Sequence, residues 1–167
     1  GSNLLTYLVE KHPEHSYVNV DKLGYAANLQ SLASIEKHAS YRFAQCDIGD
    51  REAVGRVFAE HQPDAVIHLA AESHVDRSIV DPGSFIFSNV VGTFNLLDAC
   101  RDAWKDAPGE HVFHHVSTDE VFGSLGATGA FTKDTRYDPS SPYSASKASS
   151  DHLVRAYHRT FGLPAKI

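Results

Sequence analysis

Apolar residues recur along the chain with two alternating habits, a three-to-four residue spacing and short unbroken runs. Each change of habit falls on Gly, Pro, Asn or Asp. Asn3 to Lys11 has Leu4, Leu5 and Leu8 on one side and predicts a helix. Tyr17 to Val20 predicts a strand ending at Asp21, and Asn28 to His38 a short helix. Tyr41 to Gln45 predicts a second strand, which delivers Asp47 and Ile48 to its end. Asp50 is placed to cap a helix running through His61 and stopped by Pro63. Ala65 to Leu69 is the most hydrophobic strand and empties into Ala70, Ala71, Glu72, Ser73 and His74. Asp81-Pro82 opens a long helix through Val90, Phe94 and Leu97 to Trp104. A strand from His111 to Val116 and a Gly-, Thr- and Asp-rich loop from Gly123 to Ser140 follow. Ser141-Pro142 then starts a helix to Phe161, ended by Gly162 and Pro164, and Ala165 to Ile167 begins another strand. Strands alternating with helices predict an α/β fold with a parallel sheet.

The chain's 167 residues fit one domain with a sizeable core. A net charge of −6 without a basic stripe excludes a nucleic-acid or anionic-membrane partner. Cys46 and Cys100 are too few for a disulfide framework. With no signal peptide and no membrane-length apolar span, the expected setting is a reducing cytoplasm. The absence of an initial Met points to a trimmed or partial chain. Among eleven histidines the tightest group is His111, His114 and His115, and on a strand His114 faces away from the other two, so no metal site is expected. His68 reads as a strand histidine with a satisfied ring.

The candidate chemistry lies in two places. Tyr143 and Lys147 are four residues apart on a helix and face the same way, and an ammonium beside a phenol favours the phenolate. Such a pair takes a proton from a sugar or alcohol hydroxyl. Ser117-Thr118-Asp119-Glu120, directly after a predicted strand, brings hydroxyls and two carboxylates to the end where parallel sheets bind ligands. Asp21 closes a strand twenty residues after Gly1, the offset at which an acidic residue in a dinucleotide-binding fold accepts from the adenosine ribose and favours NAD over NADP.

Four segments carry a family resemblance: Asp21-Lys22-Leu23, Ala70-Ala71-Glu72-Ser73-His74-Val75-Asp76-Arg77-Ser78, Ser117-Thr118-Asp119-Glu120-Val121, and Ser140-Ser141-Pro142-Tyr143-Ser144-Ala145-Ser146-Lys147. In order, they resemble the extended short-chain dehydrogenase/reductase superfamily and, within it, the dTDP-glucose 4,6-dehydratases. Thr-Asp-Glu is the most specific element, since C4 epimerases lack the acidic pair and GDP-mannose dehydratases look like Thr-Ser-Glu there. The resemblance implies a Rossmann-like doubly wound parallel sheet and NAD as a recycled cofactor. It implies Thr118, Asp119, Glu120, Tyr143 and Lys147 as catalytic residues, and Ser73 and Thr118 as substrate contacts. Asp21, Lys22, Leu23, Gly24, Asp47, Ile48, Leu69, Ala70, Ala71 and Ser88, with Tyr143 and Lys147, would line the cofactor.

Family members open with a strand and a Gly-x-x-Gly-x-x-Gly turn, of which Gly1 would be the last glycine, and continue well past Ile167. Residues 1–167 are therefore expected to form a partial NAD-binding domain that carries the catalytic residues. The first strand with its glycine turn and the C-terminal substrate subdomain are expected to be missing. Gly24 and Ser88 stand where threonine is usual, and Phe122 where tyrosine is. The long helices from Asp81 and Tyr143 imply a homodimer of the full-length protein. Three alternatives stay open: another nucleotide-sugar dehydratase, a 4-epimerase, and an inactive fragment of the fold.

Overall fold

The computed structural model describes residues 1–106 and 111–167. In chain order the regular elements are α1 (Ser2–Lys11), β1 (Tyr17–Asp21), β2 (Tyr41–Gln45), α2 (Arg51–His61), β3 (Ala65–His68), α3 (Val75–Val80) and α4 (Pro82–Phe85). A π-helical stretch (Ile86–Val91) follows, then α5 (Gly92–Trp104), β4 (Val112–His115), α6 (Pro142–Phe161) and β5 (Ala165–Lys166). All strand pairings are parallel, and helices intervene between strands, giving the α/β class read from the sequence.

Among the described residues the strands form two separate sheets, β1–β2 and β3–β4–β5. In register, Tyr17 pairs with Tyr41 and Asp21 with Gln45, while Ala65 pairs with Val112 and His68 with His115. Each of β1 and β3 keeps one unpaired edge. In a doubly wound sheet both edges would pair with a central strand.

Local chemistry sets the clearest boundaries. Asp50 accepts from the Ala53 amide at 3.0 Å to start α2, which ends at Gln62 in the left-handed conformation (φ 43°). Ser141 and Ser144 form a reciprocal capping box at the start of α6, and Gly162 ends it at φ 69°.

Three stretches differ from the sequence expectation. Asn28 accepts from the Gln30 amide at 3.0 Å, and this side-chain bond starts only a short 3-10 turn at Leu29–Leu32 in place of the expected Asn28 to His38 helix. Val75–Val80 forms a helix in a stretch to which the sequence reading assigned no element. The expected continuous helix from Asp81 to Trp104 is interrupted by the π-helical stretch, in which Ser88 and Asn89 are buried.

The main core joins both sheets' helices through Cys46, Ile48, Val54, Phe58, Leu96, Leu97, Cys100, Trp104, Phe113, Val154, Tyr157 and Leu163. A smaller cluster of Val9, Leu32, Ile35 and Tyr41 lies under α1. Gly92 is required by packing, because a Cβ there would meet the Ile48 side chain. Asp98 is buried on α5 and ties three helices together. It pairs with Arg51 of α2 and with Arg101 at 2.7 Å, and accepts from the Tyr157 hydroxyl of α6 at 3.3 Å.

Candidate active site

The carboxyl ends of the parallel strands carry nearly all the residues singled out from the sequence. At the end of β1, Asp21 Oδ1 accepts from the Leu23 amide at 2.7 Å and holds Leu23 at a positive φ of 58°. Asp47, after β2, accepts from the Gly49 amide at 2.9 Å in the same manner. After β3, Leu69, Ala70, Ala71 and Ser73 are exposed, so small side chains leave backbone accessible there.

Lys22 joins these turns. Its Nζ donates to Glu72 Oε1 and to Ser88 Oγ, each at 3.0 Å, which draws the end of β1, the loop after β3 and the π-helical stretch together. Gly24 is exposed beside the Lys22 stem. Ile48 is buried against Gly92 and does not face outward. Acidic side chains at these turns, beside small exposed residues, fit the ribose and phosphate chemistry of a dinucleotide.

The second cluster follows β4. Thr118 caps the 3-10 turn Asp119–Phe122, its Oγ1 accepting from the Glu120 amide at 3.3 Å, while Asp119 and Glu120 are exposed. Across from this turn, the first turn of α6 brings Tyr143, which is buried and packed edge-on against Phe85. Burial raises the pKa of the Tyr143 phenol. A hydrogen bond with Thr118 works in the opposite direction, and the Glu120 and Asp119 charges raise it further. The Thr118 hydroxyl and the two carboxylates therefore all bear on the Tyr143 phenol.

Lys147 lies one turn beyond Tyr143 on α6. Its ammonium is buried and donates to the Val116 carbonyl at 2.7 Å, with His115 Nε2 at 3.5 Å. The carbonyl just past the end of β4 thus engages one of the three ammonium protons. Burial lowers the Lys147 pKa, and the Asp151 charge partly restores it.

Three polar residues in this region were missed by sequence reasoning. Asn89 bonds Glu72 in both directions, at 2.8 and 2.9 Å, and donates to Ser146 Oγ at 2.8 Å, linking the loop after β3 to α6. Its only sequence signal is a lone amide within an apolar helix. Glu72 was quoted within a motif, but its pairing with Lys22 was not foreseen. Asp151, one turn beyond Lys147, is fully buried and accepts from Ser117 at 2.6 Å and Tyr137 at 2.7 Å. His68 is satisfied as expected, its Nε2 lying 2.9 Å from Thr93 Oγ1. Among the described residues no group of three His, Cys, Asp or Glu side chains is arranged to hold a metal, and no helix is long and apolar enough to cross a membrane.

The parallel strands and intervening helices form a Rossmann-like fold of the short-chain dehydrogenase/reductase type. The chain belongs to the family described as GDP-mannose 4,6 dehydratase, whose model matches residues 1–167. It is 56% identical over 169 residues to a dTDP-glucose 4,6-dehydratase of Neisseria meningitidis, covering 98% of this chain and 47% of that protein. It is 51% identical to one from Escherichia coli, covering 98% and 49%. Among solved structures, the dTDP-glucose 4,6-dehydratase of Streptomyces venezuelae with NAD and TYD bound superposes with a TM-score of 0.85 at 42% identity, over 97% of this chain and 48% of that one. A Thermus thermophilus UDP-glucose 4-epimerase in complex with NAD gives the same TM-score at 28% identity, over 99% and 49%. The chain spans about half the length of the curated relatives it matches.

Proposed function

We propose that the natural gene product carrying this sequence is a nucleotide-sugar 4,6-dehydratase that converts dTDP-glucose to its 4-keto-6-deoxy derivative with a recycled NAD⁺. The observation that carries this reading is the meeting of the Thr118 hydroxyl, the Asp119 and Glu120 carboxylates and the Tyr143 phenol at one strand end. An oxidation at C4 needs one base, and loss of water across C5 and C6 needs a second base and an acid. This cluster holds all three. The higher identity to the dehydratases than to the epimerase supports the same choice.

Bound NAD⁺ supplies the acceptor for the C4 hydride and later returns it to C6. Asp21, Lys22, Leu23, Gly24, Asp47, Leu69, Ala70, Ala71 and Ser88, together with Lys147, would hold it, while Ile48 packs beneath them against Gly92. Tyr143 takes the O4 proton, while Thr118 orients the ring by a hydrogen bond in the O4 region and Ser73 contacts the substrate. The 4-keto group acidifies C5, whose proton Glu120 removes. Asp119 protonates the departing C6 hydroxyl. Over a full cycle the sugar loses one water and no net electrons.

The protein would act as a homodimer in the cytoplasm, its α5 and α6 helices facing a second copy. Incubation of the purified natural gene product with dTDP-glucose, followed by NMR of the sugar, tests the reading. The expected product is a 4-keto-6-deoxyhexose, whereas a C4 epimer without loss of water would establish the epimerase reading.

A further inference from the structure

The Asp151 carboxylate is at 0% exposure, a costly place for a charge unless it is paired with polar neighbours. Its partners come from three separate segments. His115 of β4 places Nε2 3.3 Å from Oδ1, while Ser117 just past β4 and Tyr137 of the loop before α6 donate to Oδ2 at 2.6 and 2.7 Å. Tyr137 is itself held by the Arg155 guanidinium, which donates to its hydroxyl at 3.1 Å.

Asp151 also lies four residues after Lys147, so both side chains leave α6 on one face and meet at the end of β4. His115 stands between them, its Nε2 3.5 Å from the Lys147 ammonium and 3.3 Å from Asp151. We propose that Asp151 is a positioning residue of the active site, the buried anion that holds Lys147 as an ammonium at the Tyr143 helix and locks that helix to the Thr118-Asp119-Glu120 turn. The inference rests on the reading of Tyr143 and Lys147 as the proton-transfer pair.

The charges balance only as a set. Burial alone would drive Lys147 toward the neutral amine, and Asp151 opposes this. Burial likewise opposes ionisation of Asp151, but the adjacent His115 ring and the hydrogen bonds from Ser117 and Tyr137 outweigh it and hold the carboxyl below its usual range. His115, kept neutral by burial, separates the two charges without adding a third. The other titratable side chains acting on this group are His68, His114, Tyr137 and Arg155. Because Ser117 adjoins Thr118, the same carboxylate fixes the turn that carries the two acidic candidates.

The test uses Asp151→Asn, which keeps the shape and the acceptor for Ser117 and Tyr137 while removing the charge. Single-turnover formation of NADH from bound NAD⁺ and dTDP-glucose should slow by about 10²-fold, the scale of a misplaced catalytic group, with KM for the sugar nearly unchanged. In a Lys147→Ala background the same substitution should add almost nothing, since a residue acting through Lys147 has nothing left to act on. Additive losses in the double variant would overturn the proposal. A second readout needs no substrate: the Lys147 ammonium, followed by NMR through an alkaline titration, should release its proton at lower pH in Asp151→Asn than in the unsubstituted protein. An unmoved titration would overturn the proposal even if dTDP-glucose is not the substrate, a case recognised by an unsubstituted protein that forms no NADH. Should Asp151→Asn not fold, Asp151→Ser also removes the charge and should shift the Lys147 titration downward in the same way. No shift there would overturn the proposal as well.

Discussion

The turns after β1 and β2 and the region between β4 and α6 are both polar, but they are built in opposite ways. In the first, Asp21 and Asp47 are accessible or half-buried, and each bonds a backbone amide only two residues on. In the second, Ser117 and Asp151 meet across 34 residues and Lys147 reaches Val116 across 31, both inside the protein. Side chains that shape their own turn need little from the rest of the fold. Side chains that meet across the core depend on all of it. A ligand gripped by the first region meets preset backbone, whereas chemistry in the second depends on packing.

The largest expected effect falls in the buried region. Tyr143→Phe keeps the ring against Phe85 but cannot accept a proton, so NADH formation in a single turnover should fall by about 10²- to 10⁴-fold. An unchanged rate would remove Tyr143 from the mechanism. Glu120→Gln should leave that first step intact and abolish exchange of the C5 proton with deuterated solvent, while Asp119→Asn should keep the exchange and slow loss of water. Equal loss of both steps in both variants would refute the division of labour.

Phe113 is fully buried on β4 beside His68 and His115. Phe113→Ala should cost about 3–5 kcal/mol in urea unfolding. Asp50→Ala, in the exposed region, should cost only about 1 kcal/mol, the usual value of one helix cap. Comparable losses from the two would erase the contrast drawn above.

Acid should also act on the buried region first. Burial lowers the pKa of His68 and His115 below 6.5, so the unfolded chain binds more protons than the folded one as the pH falls below that value. Their contribution to stability is complete above about pH 6.5 and is lost on acidification, by up to about 1.4 kcal/mol per pH unit for each group. Asp151, also lowered, has the same sign but acts only below about pH 4, where the carboxyl of an unfolded chain takes up its proton. Urea midpoints measured between pH 7.5 and pH 5 check this, and a flat profile would mean that the two rings are not held neutral.

The same contrast explains what was legible in the sequence. Asp50, Tyr41 to Gln45 and Ser141-Pro142 announce their elements by local rules, and the structure places those elements at the expected bounds. The strand-end residues from Asp21 to Thr118 were also readable, because each closes a strand. Asp151 was not, since an Asp four residues after a Lys on a helix ordinarily marks a solvated ion pair. Its burial follows from three other segments. The π-helical interruption was equally hidden, because Phe85, Val90, Phe94 and Leu97 keep an approximately helical spacing through it.

That interruption makes the helix running into α5 tolerant of length in a way its neighbours are not. Within it the chain carries more residues per turn than an α-helix, and Thr93, Asn95 and Asp98 beyond it reach His68, Ile48 and Arg51. Six π-helical residues turn through about the angle of five α-helical ones, so deleting one residue from Ile86–Val91 would let the stretch wind as ordinary α-helix with both flanks still facing their partners. What would be lost is the widened turn in which Ser88 and Asn89 are buried. In most helices a one-residue deletion rotates one flank by about 100° against the other; here the ladder holds a spare residue that it can give up.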